Sequence, residues 1–212
     1  MRYLAVIGAR VMSMGAAVDL LCHGRPIPSR AVVLTFDDGY ENFFEYALPI
    51  LEHHHFPATV YAIAGLVGRT AEWLASDGHA TSALMDAARL RELAQHGVEV
   101  GSHAYTHVPL AGLPVAQLRH EILDSRRALE DLLGRPVVHF CYPYGSHDPA
   151  TLDVAAEAGY AGAVTCQRGA ATRAFDVLAL PRKAISFGDN VIGFAWKLHM
   201  KDRPKGTALK RT

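Results

Sequence analysis

From residue 31 to residue 165, short apolar and β-branched runs alternate with segments of helical period, and three of those runs stop at polar residues. The alternation predicts strands over 31–36, 57–64, 98–101, 137–141 and 161–165. It predicts helices over 41–55, 84–96, 115–133 and 148–158, and a last helix over 190–199. Glycine marks several of the stops, at Gly97, Gly134 and Gly159. Residues 65–82, with Gly65, Gly68 and Gly78, read as a looser connection, and residues 177–187 as extended chain. Strands that alternate with helices give an α/β fold with a mainly parallel sheet, open or closed into a barrel. In such sheets the carboxyl ends of the strands line the site. Asp37-Asp38, Ser102-His103 and Tyr142-Pro143-Tyr144 each come directly after a predicted strand, so three strands deliver polar residues to one rim.

Each piece alone is weak. Asp38-Gly39 is a turn dipeptide, and Tyr142 to Gly145 reads as a turn. His103 and His107 have the i, i+4 spacing of a metal-binding pair, but twelve histidines make such a spacing common by chance. Together they say more. One carboxylate and two imidazoles supply three protein ligands and leave a position open for water, the pattern of a catalytic zinc site. Two adjacent aspartates resist joint ionisation unless a cation offsets their charge. One can then hold the ion while the other takes a proton from water held there.

At this point the residues resemble a known family. Thr35-Phe36-Asp37-Asp38-Gly39, His103-Ala104-Tyr105-Thr106-His107 and Phe140-Cys141-Tyr142-Pro143-Tyr144-Gly145 look like the first three motifs of the polysaccharide deacetylases, the NodB-homology domains of carbohydrate esterase family 4. The likeness runs from about Ala31 to Phe187. It implies an irregular (β/α) barrel of about seven strands. It implies Asp38, His103 and His107 as ligands of a divalent metal, usually zinc, and Asp37 as general base. The Tyr144 backbone N–H would hold the oxyanion, and Tyr142, Pro143 and Tyr144 would meet the substrate. The implied reaction is hydrolysis of an N-acetyl group on an amino-sugar glycan, with release of acetate. An O-acetyl esterase and a glycan-binding relative without turnover stay open beside it.

The chain also departs from the family's pattern. Much of the family opens the third motif with an arginine that pairs with the base, where this chain has Cys141, read as a small buried residue. Arg182, in Leu180-Pro181-Arg182, is expected to reach Asp37 from another strand end. The family's Leu-x-His motif is only partly matched by Leu198-His199-Met200, which makes His199 one candidate for the catalytic acid and His147 another. Trp73 and Trp196 fall outside the family's tryptophan motif and read as packing residues.

Composition bounds the partners. Twenty-one basic and twenty-one acidic residues leave no net charge, which argues against a nucleic-acid face. Cys22, Cys141 and Cys166 form no metal or disulfide pattern. No run is long enough to span a membrane. The start carries Arg2, but Arg10 and Asp19 interrupt it and no clear cleavage site comes after it. It is read as a helical extension over 1–30 on a catalytic domain over 31–200, with a basic flexible tail over 201–212. That leans towards the cytoplasm, with export left open.

Overall fold

The expected strand over 31–36 is two short strands with different partners. The computed structural model, which describes residues 1–73, 81–186 and 188–200, pairs β1 (Arg10–Val11) in parallel with β2 (Ala31–Val32). Two residues later the chain enters the main sheet as β3 (Thr35–Phe36). Hydrogen bonds mark the exchange: Met12 N–H donates to Val32 O at 2.9 Å, and Thr59 N–H donates to Leu34 O at 3.0 Å. Six continuous residues of strand-like character show no sign of a change of partner, because their side chains alternate in the same way throughout.

The main sheet continues with β4 (Ala58–Ala62), β5 (Val98–Ser102), β6 (His139–Cys141), β7 (Gly162–Arg168) and β8 (Leu180–Arg182). Its six strands lie in sequence order and every neighbouring pair is parallel. Each crossover therefore steps the same way, and a twisted sheet built so curls towards a barrel. The backbone ladder stays open, with β3 and β8 as its edges. Arg182 of β8 nevertheless donates to Thr35 Oγ1 of β3 at 3.1 Å, so the two edges face each other. The architecture is the expected α/β class of curled parallel sheet, but where an irregular barrel of about seven strands was expected it is a half-barrel of six, with β1–β2 standing apart.

The two faces of the sheet pack differently. On the outer face Ala58, Val60, Val98, Val100 and Phe140 meet Leu51, Leu90, Leu93, Leu118, Ile122 and Leu129 from the helices. Burying one such leucine contributes about 1.5–3 kcal/mol. On the inner face Tyr61, Cys141, Val164 and Leu180 meet Met14 and Val18, one turn apart on an N-terminal helix, α1 (Met14–Cys22). Ser13 caps that helix by accepting from Ala16 N–H at 3.2 Å. A Cβ at Gly162 would sit 2.6 Å from Val18 Cγ2, so only glycine admits the helix this close to β7. Part of the segment read as an extension thus fills the inner face.

Two expected helices carry an irregularity. The helix over 41–55 starts with a π-turn, Phe43–Ala47, before the regular Leu48–His54. The helix over 115–133 is Val115–Arg119 and Ser125–Leu133 joined by a π-turn, His120–Asp124. It stops at Gly134, whose φ of 67° is the left-handed close that glycine permits. The chain expected to be extended over 177–187 opens with a 3-10 turn, Val177–Ala179, ahead of β8. Val191–Met200 forms the last helix. Among the described residues no helix is long and apolar enough to cross a membrane. The basic tail expected over 201–212 lies outside the described residues.

Candidate active site

All six strands run the same way, so the residues that leave their carboxyl ends gather at one end of the half-barrel. Asp37 and Asp38 come after β3, His103 after β5 and Tyr142 to Gly145 after β6, while Arg182 closes β8. Turning these side chains towards one another requires unusual backbone. Among the described residues six non-glycine positions have positive φ, and four of them lie here: Asp38 (72°), Ala104 (64°), His107 (64°) and Tyr144 (55°). Left-handed backbone at such residues costs about 1–3 kcal/mol each, and it persists only where surrounding contacts impose it.

Asp38 Oδ1 lies 3.3 Å from His103 Nε2 and 3.3 Å from His107 Nε2. Both imidazoles are buried, and the three ligand atoms lie within 4.8 Å of one another. A tetrahedral zinc site with bonds of about 2.1 Å spaces its donors about 3.4 Å apart, so the set suits such an ion. The second ring nitrogen of His103 supports the assignment. Nδ1 lies 2.7 Å from Cys141 O, and because a carbonyl only accepts, Nδ1 carries the hydrogen and Nε2 keeps its lone pair for a metal. Burial pushes the Asp38 carboxyl up, but the two imidazoles, when their Nε2 atoms carry protons rather than a metal, outweigh it and hold the group well below the usual carboxylate range.

Asp37 is held from the opposite edge of the sheet. Arg182 Nη1 donates to Asp37 Oδ1 at 2.7 Å and Nη2 to Oδ2 at 2.8 Å, a bidentate pair. The same guanidinium donates to Thr165 O at 2.9 Å, to Thr35 Oγ1, and to Cys141 Sγ at 3.2 Å. Burial pushes the Asp37 carboxyl up, yet Arg182 prevails and keeps it below its ordinary value. The small Cys141 side chain leaves room for the guanidinium on the inner face. Burial also pushes its thiol up, which keeps it protonated and unreactive at neutral pH. Asp37, His103 and Cys141 form a second trio with metal-ligand spacing. The Arg182 cation already engages two of its members, Asp37 and Cys141.

The rim is aromatic. The Trp73 ring lies 4.5 Å from the His107 ring and the Tyr144 ring 4.8 Å from it, and Tyr144 is 57% exposed. Tyr142 is fully buried, with its hydroxyl donating to Leu178 O at 2.9 Å, and Pro143 is buried beside it. Tyr40 was not singled out by sequence, yet burial together with the nearby Asp38 charge pushes its titration up. Its position directly after Asp37-Asp38-Gly39 was the available signal. Trp73 carried none, because it lies in a glycine-rich segment without a period. His147 stays on the loop of Tyr144, with Nδ1 donating to Gly145 O at 2.7 Å. His199 is not brought to this cluster: its Nε2 lies 3.0 Å from the hydroxyl of Tyr3. Trp196 is exposed on the last helix.

The fold is a parallel half-barrel, and its strand ends carry an acid–histidine–histidine group that could hold a metal beside a guanidinium-held carboxylate. A family model for polysaccharide deacetylase matches residues 24–163, and the chain belongs to that family. Protein YxkH of Bacillus subtilis (strain 168) is 30% identical over 89% of this chain and 63% of its own length. The poly-beta-1,6-N-acetyl-D-glucosamine N-deacetylase of Escherichia coli (strain K12) is 28% identical over 82% of this chain and 30% of its own length. The chain therefore spans less than two thirds of either relative. Among solved structures, the Streptococcus pyogenes deacetylase PplD in complex with acetate superposes with a TM-score of 0.80 at 25% identity, over 93% of this chain and 83% of that one.

Proposed function

We propose that this chain is a metal-dependent hydrolase that removes N-acetyl groups from an amino-sugar glycan and releases acetate. The observation that carries the proposal is the convergence of Asp38, His103 and His107 beside an Asp37 that Arg182 holds ionised. Asp38 and the two Nε2 atoms would hold a divalent cation, with zinc the best match to the donor set. Such an ion, when bound, supplies Lewis acidity towards the acetyl carbonyl and lowers the pKa of water.

The chain's own residues supply the rest. An ionised carboxylate has about four lone-pair sites, and Arg182 engages two, so Asp37 keeps acceptor capacity for a water proton. Asp37 takes that proton as the water oxygen bonds to the acetyl carbon. The Tyr144 N–H, presented by a left-handed turn, stabilises the charge developing on the acetyl oxygen. The leaving amine needs a proton. We assign it to His147, which shares the Tyr144 loop, rather than to His199, which is engaged with Tyr3. Trp73 and the exposed Tyr144 ring flank His107 and offer faces against which a sugar ring packs.

The likeness to the Escherichia coli enzyme puts poly-β-1,6-linked N-acetylglucosamine first in a substrate panel, ahead of chitooligosaccharides and peptidoglycan fragments. The test is acetate release by purified, zinc-loaded protein across that panel. Release that disappears with a chelator and returns with zinc is the expected result. A folded, zinc-bound protein that releases acetate from none of these substrates would refute the proposal.

A further inference from the structure

The loop that carries the two histidines is clamped from both sides, and one clamp is a buried carboxylate that takes no part in the hydrolysis itself. Ala104 and His107, both left-handed, bracket Tyr105 and Thr106. A loop bent this sharply gives its own amides no strand partners. Glu121 supplies them: its Oε2 accepts from Tyr105 N–H at 3.0 Å and from Thr106 N–H at 2.9 Å. Its Oε1 accepts the Thr106 hydroxyl at 2.5 Å. The carbonyls on the other side are met by Ala64 N–H, which donates to Ala104 O at 3.0 Å, and Gly65 N–H, which donates to Tyr105 O at 2.9 Å.

Glu121 is only 5% exposed and lies in the π-turn His120–Asp124. Turns of this kind recur beside functional sites, because the extra residue re-aims side chains. This one is pinned where it would otherwise loosen. Ile122 O accepts from Ser125 Oγ at 3.0 Å and from Tyr160 OH at 3.1 Å. Ser125 Oγ in turn meets Ser102 Oγ at 2.9 Å, at the end of β5 and next to His103. The carboxylate is thus fixed to the strand that delivers the first histidine and bonded to the loop that delivers the second.

We infer that Glu121 is the positioning residue for the His103–His107 loop, holding its two left-handed bends so that both imidazoles meet Asp38. The inference rests on the assignment of Asp38, His103 and His107 as metal ligands. The test compares Glu121→Gln, which keeps an acceptor for both amides, with Glu121→Met, which keeps the shape and loses the acceptor. Zinc affinity is measured by chelator competition, and exchange of the Tyr105 and Thr106 amides by NMR on metal-free protein. Glu121→Met is expected to weaken zinc binding about 10–100-fold, the range seen when partners outside the ligand set are removed, and to speed exchange of both amides. Glu121→Gln is expected to recover most of both properties. A folded Glu121→Met protein with unchanged zinc affinity and unchanged exchange overturns the inference, as does a Gln variant no better than Met. Should Glu121→Met not fold, Thr106→Val, which deletes only the hydroxyl bond, carries the test. It should weaken zinc binding less but in the same direction, and no change would count against the inference. A wild-type protein that binds no zinc removes the metal reading, while amide exchange still decides whether Glu121 sets the loop.

Discussion

Two acid–histidine groupings among the described residues make a contrast, one inside the strands of the sheet and one past their carboxyl ends. Glu99 of β5 pairs with Nδ1 of the buried His139 at the start of β6. Asp38, His103 and His107 meet past the carboxyl ends. The residue types are alike in both places, an acid beside imidazole, but the backbone differs. Glu99 and His139 sit in regular strands, in register with Thr59 and Gly162. There, alternate side chains point to opposite faces, so one strand cannot turn two neighbours towards one point. Beyond the carboxyl ends the chain leaves the ladder. Left-handed bends at Asp38, Ala104 and His107 then gather three donors around a common centre. An acid beside a histidine is therefore weak evidence of a site, and strained backbone around it is much stronger.

The contrast can be broken by mutation. Asp37→Asn should have the largest effect, reducing acetate release by about 10²–10⁴-fold, the usual scale for a general base, while zinc content stays normal. Unchanged turnover in that variant would remove Asp37 from the mechanism. His107→Ala should lose zinc, whereas Glu99→Gln should keep it, as read by metal analysis of purified protein. Equal zinc loss in both would erase the distinction between the two groupings.

Arg182→Met sharpens the same contrast through pH. Burial raises the Asp37 pKa and Arg182 lowers it, with the lowering dominant. Without the guanidinium the pKa rises, so the acid limb of the kcat/KM profile should move to higher pH, with turnover down about 10–100-fold. A depressed carboxylate pKa also stabilises the fold above the ordinary carboxylate value, and that stabilisation is lost as pH falls through the lowered one. Acid unfolding curves should therefore show the Arg182→Met deficit at neutral pH and converge with wild type at low pH. Glu99→Gln should cost stability, about 1–3 kcal/mol, and leave turnover of the folded protein nearly unchanged. His199→Ala should have the smallest effect, with acetate release within about twofold of wild type, because the ring contacts Tyr3 rather than the metal pocket.

Most of the strand–helix order was legible, because an apolar run that stops at a polar pair announces a strand end. The break inside 31–36 was not, since the partner of its first half is Arg10–Val11, chosen by tertiary packing. Neither π-turn was legible, because a single added residue leaves the hydrophobic pattern of the helix almost intact. Trp73 lies against His107 three residues after Thr70, which forms an antiparallel bridge with Ala83, and no local period encodes that contact. Glu121 falls among Leu118, Ile122 and Ser125 on the packed face of its helix, a charged residue where an apolar one is the norm. That anomaly was visible in the sequence, but its partners were not.

The sequence by itself determined which chemical groups stand at the strand ends, because hydrophobic period and turn residues are local properties. It set out two aspartates after one strand, two histidines after another and an arginine at the last. That Arg182 reaches Asp37 was an expectation, but only the tertiary structure decided its bidentate geometry and placed Asp38 equidistant from both imidazoles. Those distances depend on how far six parallel strands curl before the first faces the last. That curl is set by the packing of both faces of the sheet, which no single segment contains.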